Sequence, residues 1–230
     1  MGITVNGSKV LWASFNLGAS KEYEYGDFIA WGEFQAKDTY SWKNYKFSDG
    51  SGDDRIVKYC SLRDPFKDWA LDSAPDGIMT LLPEDDAARK RLGGGWRMPT
   101  AEEFEALLST SSDPNYSGWG KVVNAPGKLK DESGMMMRGF RITYKLNGNS
   151  IFLPLADCAG DDGVHHGTAT WDGYHIGLYW TSSLDVIGGT GALVAYLHDH
   201  KNPYVRDNLH GIGNSSRYYG QSIRPVLIKD

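Results

Sequence analysis

The sequence predicts an α+β domain in which antiparallel strands dominate and two short helices are inserted. Short runs of alternating apolar and polar residues recur along the chain, and only residues 81–108 carry strong helix signals. The dipeptide Asn147-Gly148 separates two alternating runs, which is typical of a two-residue hairpin turn. With 230 residues and 40% hydrophobic content the chain can bury a full core. We therefore expect one domain over residues 1–230.

The two predicted helices have clear sequence boundaries. The first begins at Pro83, has three acidic residues at its positive end and three basic residues at its negative end, and stops at Gly93. The second begins with a capping box formed by Thr100 and Glu103. Its apolar residues share one face at helical spacing: Phe104, Leu107 and Leu108. Because helices of about eight to ten residues are marginal alone in water, we expect a sheet to cover this face.

The strands are predicted from alternation and from flanking turn residues. They cover residues 9–19, 139–146, 149–155, 178–183, 191–198 and 222–228. The aromatic and lysine-rich segment 38–47 and the polar segments 48–81, 109–132, 160–177 and 198–222 are predicted to be mostly loops.

Charge and composition exclude several classes of partner. The net charge of −5 and the absence of clustered Lys and Arg argue against nucleic acid as a partner. The longest apolar runs are too short to span a bilayer, so we predict no transmembrane segment. Cys60 and Cys158 are compatible both with a disulfide and with two buried thiols.

Neither a metal nor another cofactor is predicted. Residues 49–54 place oxygen-bearing side chains at alternating positions, as in a calcium loop, but the glutamate that closes a twelve-residue calcium loop is missing. A solvated turn is the favoured interpretation. His198 and His200 would share one face of a strand, which leaves a metal there as an alternative.

Residue types that are common in catalytic sites are concentrated in one loop, but they do not form a known catalytic motif. They include potential nucleophile, base and metal ligands: Asp157, Cys158, Asp161, Asp162, His165, His166, Asp172 and His175. Neither an H-E-x-x-H helix nor a nucleophile elbow surrounds them, so we favour a solvated loop and a protein that is not an enzyme. A metal-assisted hydrolase is the rival hypothesis.

Seven ordered sequence blocks resemble one family along nearly the whole chain. They are Trp12-Ala13 with Asn16–Ala19, Tyr25–Asp27 with Ala30–Glu33, Leu82–Ala88, Gly95–Thr100 with Glu103, Ile151–Pro154, Tyr179–Ser183 and Ile223–Val226. These blocks look like the Fibrobacter succinogenes major paralogous domain. The resemblance implies a C-type lectin-like fold with twisted antiparallel sheets and two short helices. It also implies a surface or secreted lipoprotein of Bacteroidetes-type bacteria, with no assigned reaction.

Two activities found among proteins of that fold are not supported by the sequence. The Glu-Pro-Asn or Gln-Pro-Asp and Trp-Asn-Asp motifs of calcium-dependent sugar-binding lectins do not occur. The reactive cysteine pair of formylglycine-generating enzymes is also missing, since Cys158 is the only cysteine in the second half of the chain.

The C-terminal polar segment is the predicted binding face. Nineteen of the twenty-five residues in 198–222 are Asn, Asp, Ser, His, Tyr, Gly or Arg, which is close to the composition of antibody binding loops. It also resembles the variable segments of retroelement-diversified proteins. A plain polar connection between two strands is the alternative. The predicted contacts from this segment are Tyr204, Asn208, His210, Asn214, Arg217, Tyr218 and Tyr219, with Trp171 and Tyr174 from loop 160–177 as stacking surfaces.

These observations predict an extracellular or outer-membrane-surface binding module, from which a signal peptide has been removed. Its partner is expected to be a glycan or a host or bacterial surface protein, and a structural adhesin or pilus-associated subunit is an alternative. A framework of Trp12, Trp31, Trp96 and Trp180 is expected to hold the binding loops. Replacing Arg217, Tyr218 and Tyr219 by Ala is accordingly expected to leave the melting temperature nearly unchanged.

Overall fold

The computed structural model describes residues 2–5, 8–52, 55–60, 76–108, 125–143, 148–160, 163–164, 175–186, 189–198 and 210–229. Its strands are β1 (Gly2–Val5), β2 (Ser8–Trp12), β3 (Trp96–Arg97), β4 (Ala125–Lys130), β5 (Met136–Thr143), β6 (Ser150–Pro154), β7 (Ala159–Gly160), β8 (Gly163–Val164), β9 (Ile176–Leu184), β10 (Gly191–His198), β11 (His210–Ser216) and β12 (Val226–Lys229). Its α-helices are α1 (Ala87–Leu92) and α2 (Ala101–Leu108). The predicted α+β class with mainly antiparallel sheets is confirmed.

The strands nearest the two ends of the chain lie side by side in one sheet. Its order is β1-β2-β12-β3, and every neighbouring pair is antiparallel. Val226 of β12 is opposite Trp12 of β2 on one side and opposite Arg97 of β3 on the other. The strand predicted for residues 9–19 is shorter in the structure, where β2 ends at Trp12. Beyond Trp12 the chain leaves the sheet, although Ala13 N–H still donates to Pro225 O at 2.9 Å.

Two further antiparallel sheets form the rest of the described β-structure, apart from the short pair β7–β8. One has the order β11-β10-β9 and the other β4-β5-β6. The predicted strand at residues 191–198 matches β10, and the hairpin between β5 and β6 is confirmed with Thr143 opposite Ser150. The hairpin turn residue Asn147 lies outside the described residues.

Both predicted helices are present, and the capping box is confirmed. Thr100 Oγ1 accepts from Glu103 N–H at 3.2 Å, and Glu103 Oε2 accepts from Thr100 N–H at 2.8 Å. The apolar face of α2 is buried, as predicted: Phe104, Leu107 and Leu108. The first helix ends at Gly93 as expected, but it does not begin at Pro83. Residues 83–85 form a 3-10 turn, and Asp86 caps α1 by accepting from Arg89 N–H.

Three segments predicted as loops contain strands. Segment 109–132 includes β4, segment 160–177 includes the short β8, and segment 198–222 includes β11. The polar, glycine-rich sequence of β11 has low strand propensity, but Tyr196 of the adjacent strand lies against both Gly211 and Gly213. A Cβ atom on Gly211 would lie 2.7 Å from the Tyr196 hydroxyl oxygen. The tyrosine thus covers the two glycines, and tertiary packing outweighs local propensity.

The core contains two clusters, and the first includes two tryptophans whose indole N–H groups bind backbone carbonyls. Trp31 Nε1 donates to Thr181 O at 2.8 Å, and Trp180 Nε1 donates to Ile29 O at 2.9 Å. Trp12 belongs to the second cluster, where it packs edge-on against Phe104 with a centroid distance of 4.8 Å. Trp12, Trp31 and Trp180 are buried as predicted, whereas Trp96 is only partly buried.

Candidate functional site

Three partly buried aromatic rings lie together where the chain turns after β11. Tyr218 lies 4.3 Å from Tyr219 and 4.9 Å from Trp42, measured between ring centroids. The Tyr218 and Trp42 rings meet edge to face, with an interplanar angle of 63°. We call Trp42, Tyr218 and Tyr219 the aromatic patch. Each ring presents part of its surface to solvent, so the patch offers apolar contact area that the core does not use.

Arg217 anchors the turn that carries the two tyrosines. Its side chain is fully buried, and its guanidinium lies 5.3 Å from the Trp31 ring. It donates hydrogen bonds to backbone carbonyl oxygens: Gly189 at 2.7 Å, Gly191 at 3.0 Å, Tyr59 at 3.0 Å and Lys58 at 3.3 Å. Burial lowers the pKa of Arg217, and the neighbouring Tyr45 hydroxyl opposes this effect.

The prediction that Arg217 contacts a ligand is therefore wrong. A side chain with no exposed surface and with its N–H groups bound to carbonyls contributes to the scaffold. For the same reason, and contrary to the expectation from sequence, we expect replacement of Arg217 to lower the melting temperature. Tyr218 and Tyr219 remain partly exposed and keep their place as candidates.

The turn is also held on its C-terminal side. Gly220 packs directly on the Tyr40 ring, since a Cβ atom at this glycine would lie 2.6 Å from a ring carbon. Gly220 and Ala159 exchange two backbone hydrogen bonds of 2.8 and 2.9 Å. The Tyr40 hydroxyl donates to Phe28 O at 2.5 Å and accepts from Lys37 N–H at 2.9 Å. These contacts fix the turn before any ligand binds, which lowers the ordering cost of binding.

A depression with charged and amide groups in its lining includes Asn44, two residues after Trp42 of the aromatic patch. We call it the polar shelf; it has a volume of about 550 Å³ and is lined by Glu33, Phe34, Gln35, Ala36, Lys37, Asn44 and Lys46. Asn44 connects the two regions because it closes the 3-10 turn that begins at Trp42. Lys37 Nζ lies 2.9 Å from Glu33 Oε2, and Asn44 Oδ1 lies 3.3 Å from the same Nζ. The shelf thus holds a carboxylate, an ammonium and an amide in a linked network.

The predicted contact residues do not form one continuous face. His210 begins β11, and the tyrosines follow its end. Six residue steps separate His210 from Ser216, which corresponds to about 20 Å along a strand. Asn214 is exposed on β11, and its amide donates to Asp185 Oδ2 at 2.9 Å. Trp171, Tyr174, Tyr204 and Asn208 lie outside the described residues and remain predictions.

His210 is partly buried and lies beside Phe140. Its ring lies 6.2 Å from the Phe140 ring, and burial lowers its pKa, with His198 adding a smaller effect in the same direction. A histidine whose neutral form is favoured suits a packing role beside Phe140 better than a charged contact.

The sequence interpretation missed Trp42 and the polar shelf. Segment 38–47 was noted as rich in Tyr, Trp and Lys, and that enrichment was the available signal. What sequence alone could not supply is the contact between this segment and the turn at Tyr218.

Catalytic and metal candidates fall only partly within the described residues. Asp157, Cys158 and His175 are described, whereas Asp161, Asp162, His165, His166, Asp172 and His200 are outside. Asp157 has a φ of 64°, and its Oδ1 accepts from Cys158 N–H at 2.9 Å. Across the described ranges, no three His, Cys, Asp or Glu side chains are grouped closely enough to hold a metal ion. Cys60 and Cys158 are both free thiols.

Comparison of the chain with family models, with curated proteins and with solved structures finds no match. In the described part of the chain, neither helix has the length and apolar character needed to cross a membrane.

Proposed function

We propose that this protein is a non-enzymatic, extracellular or cell-surface binding module with a C-type lectin-like fold. The fold proposal is supported by the pairing of β2 with β12 near the two ends of the chain. It is also supported by two short helices placed against antiparallel sheets. The location at the cell surface and the kinship with the Fibrobacter succinogenes major paralogous domain rest on the sequence blocks.

The aromatic patch is the observation that carries the binding proposal. Rigid aromatic surface that is left partly exposed beside a linked set of polar groups is typical of recognition sites. Trp42 and Tyr219 offer partly exposed rings for apolar contact, and the Glu33 carboxylate of the shelf keeps acceptor capacity beyond its bonds with Lys37 Nζ and Lys46 N–H. The ordering cost is low because Arg217 and Gly220 hold the turn.

A glycan fits this combination better than a protein. One face of a pyranose ring is a row of C–H groups that stacks on an aromatic ring, and its hydroxyls need closely spaced donors and acceptors. In the shelf, the Lys37 ammonium lies 2.9 Å from a Glu33 carboxylate oxygen and 3.3 Å from the Asn44 amide oxygen. A protein ligand remains the second candidate because the same aromatic residues are frequent binding hot spots.

Binding to a glycan array, followed by titration of the best glycan, tests the proposal. The wild-type protein is expected to bind, and Trp42→Ala and Tyr219→Ala are each expected to weaken binding at least tenfold. Tyr23→Ala is the matched control, because Tyr23 is also partly buried but lies outside the patch. Equal affinity in all four proteins would rule out the patch as the site. Retention of a surface protein from the native habitat, with no glycan bound, would favour the protein alternative.

A further inference from the structure

The positive charges at the polar shelf are more exposed than the negative charges that pair with them. Lys37 and Lys46 are bonded to the carboxylates of Glu33 and Asp85, respectively. The carboxylate side chains are 12% and 5% exposed, whereas the two lysine side chains are 22% and 37% exposed. The whole chain has a net charge of −5. At this surface, however, a ligand meets the ammonium groups more readily than the carboxylates.

Another lysine extends this positive surface across the ring of Phe34. Lys46 Nζ lies 4.5 Å and Lys90 Nζ lies 5.6 Å from the centroid of the Phe34 ring. Phe34 lines the shelf and is partly buried. An aromatic ring attracts cations through its electron-rich faces, but it carries no net charge. The two ammonium groups therefore repel each other, and an anion that contacts both would offset this repulsion.

The two lysines that line the shelf differ in how many of their three N–H groups are already used. Lys37 uses all three, on Glu33 Oε1 at 3.0 Å and on the backbone and side-chain oxygens of Asn44 at 3.0 and 3.3 Å. Lys46 uses two, on Asp85 Oδ1 at 2.6 Å and on a backbone carbonyl oxygen at 3.2 Å. One N–H group of Lys46 is therefore available to a ligand.

Lys90 and Gln35 supply further donors on the Phe34 side of the shelf. Both residues are exposed, and within the described part of the chain neither side chain makes a hydrogen bond or an ion pair. Lys90 lies in α1, and Gln35 lines the shelf next to Phe34. Lys46, Lys90 and Gln35 thus hold N–H groups that no described residue uses. A carboxylate or sulfate group accepts several hydrogen bonds at once and fits such a set of donors.

We propose that the glycan bound at the aromatic patch is acidic, and that Lys46 and Lys90 bind its carboxylate or sulfate group beside Phe34. This inference rests on the proposed glycan-binding function and specifies the chemical class of the ligand. One sugar ring contacts Trp42, and the charged sugar follows along the shelf, where Gln35 is an additional donor. A neutral glycan would cover the same surface without supplying a counter-charge to the two ammonium groups.

A glycan array that holds acidic glycans next to their neutralised forms tests this inference. Oligogalacturonate and its methyl ester differ in the carboxylate, and sulfated galactan oligosaccharides and their desulfated form differ in the sulfate. Any other acidic glycan that binds is neutralised in the same way. The acidic glycan that binds best is expected to bind at least about fivefold more tightly than its neutral form. Raising the NaCl concentration from about 0.05 to 0.5 M should remove most of this difference, because salt screens exposed charges.

Lys90→Gln isolates the contribution of one charge, because Lys90 is exposed and makes no ion pair with the described residues. The variant should bind the acidic glycan about two- to fivefold more weakly than the wild type does, as expected for one exposed charge pair. Its affinity for the neutral form and its melting temperature should stay nearly unchanged. Lys9→Gln is the matched control, since Lys9 is also an exposed lysine but lies on β2 and does not line the shelf. It should change neither affinity.

The acidic class of ligand and the glycan-binding function fail in different ways. Suppose that binding depends on Trp42 but is equally tight for acidic and neutral forms, or is limited to neutral glycans. The acidic class is then overturned, while the glycan-binding function stands. The acidic class is also overturned if Lys90→Gln binds the acidic glycan as tightly as Lys9→Gln does. An array on which no glycan binds would overturn both.

Discussion

The two buried arginines and the two tyrosines of the aromatic patch are close together in the chain, but they differ in environment and in expected role. Arg217 and Arg224, which we call the arginine scaffold, are fully buried and bind backbone carbonyls from distant segments. Tyr218 and Tyr219 lie between them in sequence and remain partly exposed. Burial, which is set by tertiary contacts, distinguishes an arginine that stabilises the domain from the neighbouring tyrosines, whose rings are partly exposed.

The arginine scaffold stabilises by connecting segments that are distant in the sequence. Arg224 Nη2 donates to Phe152 O at 2.7 Å while its other nitrogens reach Ala13 and Asn16. Burial lowers the pKa of Arg224 to about 10, opposed by the hydroxyl of Tyr179, so the side chain stays charged at neutral pH. Loss of either arginine would leave several buried carbonyls without donors. Loss of a patch tyrosine would remove a partly exposed ring and leave no buried carbonyl without its donor.

The largest expected effect is on the arginine scaffold. Arg217→Met should lower the free energy of unfolding by about 3–5 kcal/mol, because four carbonyl acceptors lose a charged donor. Urea denaturation measures the change. Arg141→Met is the control, since Arg141 is about one-third exposed and pairs with Glu22 at 3.2 Å, and it should change stability by less than about 1 kcal/mol. Equal losses in both variants would contradict a special role for Arg217.

A smaller effect on the free energy of unfolding is expected when Asp85 is replaced. Asp85 is connected to the arginine scaffold through Tyr59. Asp85 accepts from Lys46, Lys58 and the Tyr59 hydroxyl, each at 2.6 Å. Burial alone would raise the pKa of Asp85, but these hydrogen bonds outweigh burial and hold the pKa below 3.8. Its stabilisation is therefore present above pH 3.8 and is lost as the pH falls through the lowered pKa.

Asp85→Asn should cost about 2 kcal/mol at pH 7, a value reduced because both lysines are about one-third exposed. The difference between wild type and variant should shrink as the pH is lowered below 3.8. Chemical denaturation at a series of pH values measures this difference. A stability difference between wild type and variant that stays constant down to the lowest pH would contradict the role assigned to the Asp85 carboxylate.

The contact between Gly220 and Tyr40 tests whether the turn under the patch is tightly packed. Gly220→Ala should lower stability by about 1–2 kcal/mol, because the new methyl group would press on the Tyr40 ring. The same substitution in a Tyr40→Leu background should cost less, since the ring is then absent. A double-mutant cycle from thermal unfolding gives the coupling. A coupling of zero would mean that the ring does not limit this position.

Sequence reasoning succeeded where a local pattern decides the structure. The capping box of α2, the stop at Gly93 and strand β10 all follow from neighbouring residues. Strand β11 was not predictable, because Tyr196 from another strand covers its glycines. For the candidate site, the sequence predicts only the types of residue involved and not their arrangement in space. Composition predicts both Arg217 and Tyr218 as ligand contacts. Only long-range contacts distinguish the buried Arg217 from Tyr218, which packs against Trp42.

Tyr219→Ala tests the central claim most directly when stability and binding are measured on the same protein. Removing this partly exposed ring should lower the free energy of unfolding by about 1 kcal/mol, well below the loss expected for Arg217→Met. Affinity for the glycan found on the array should fall at least tenfold. A loss of stability comparable to that of Arg217→Met, or an unchanged affinity, would contradict the view that a stable scaffold presents this patch for binding.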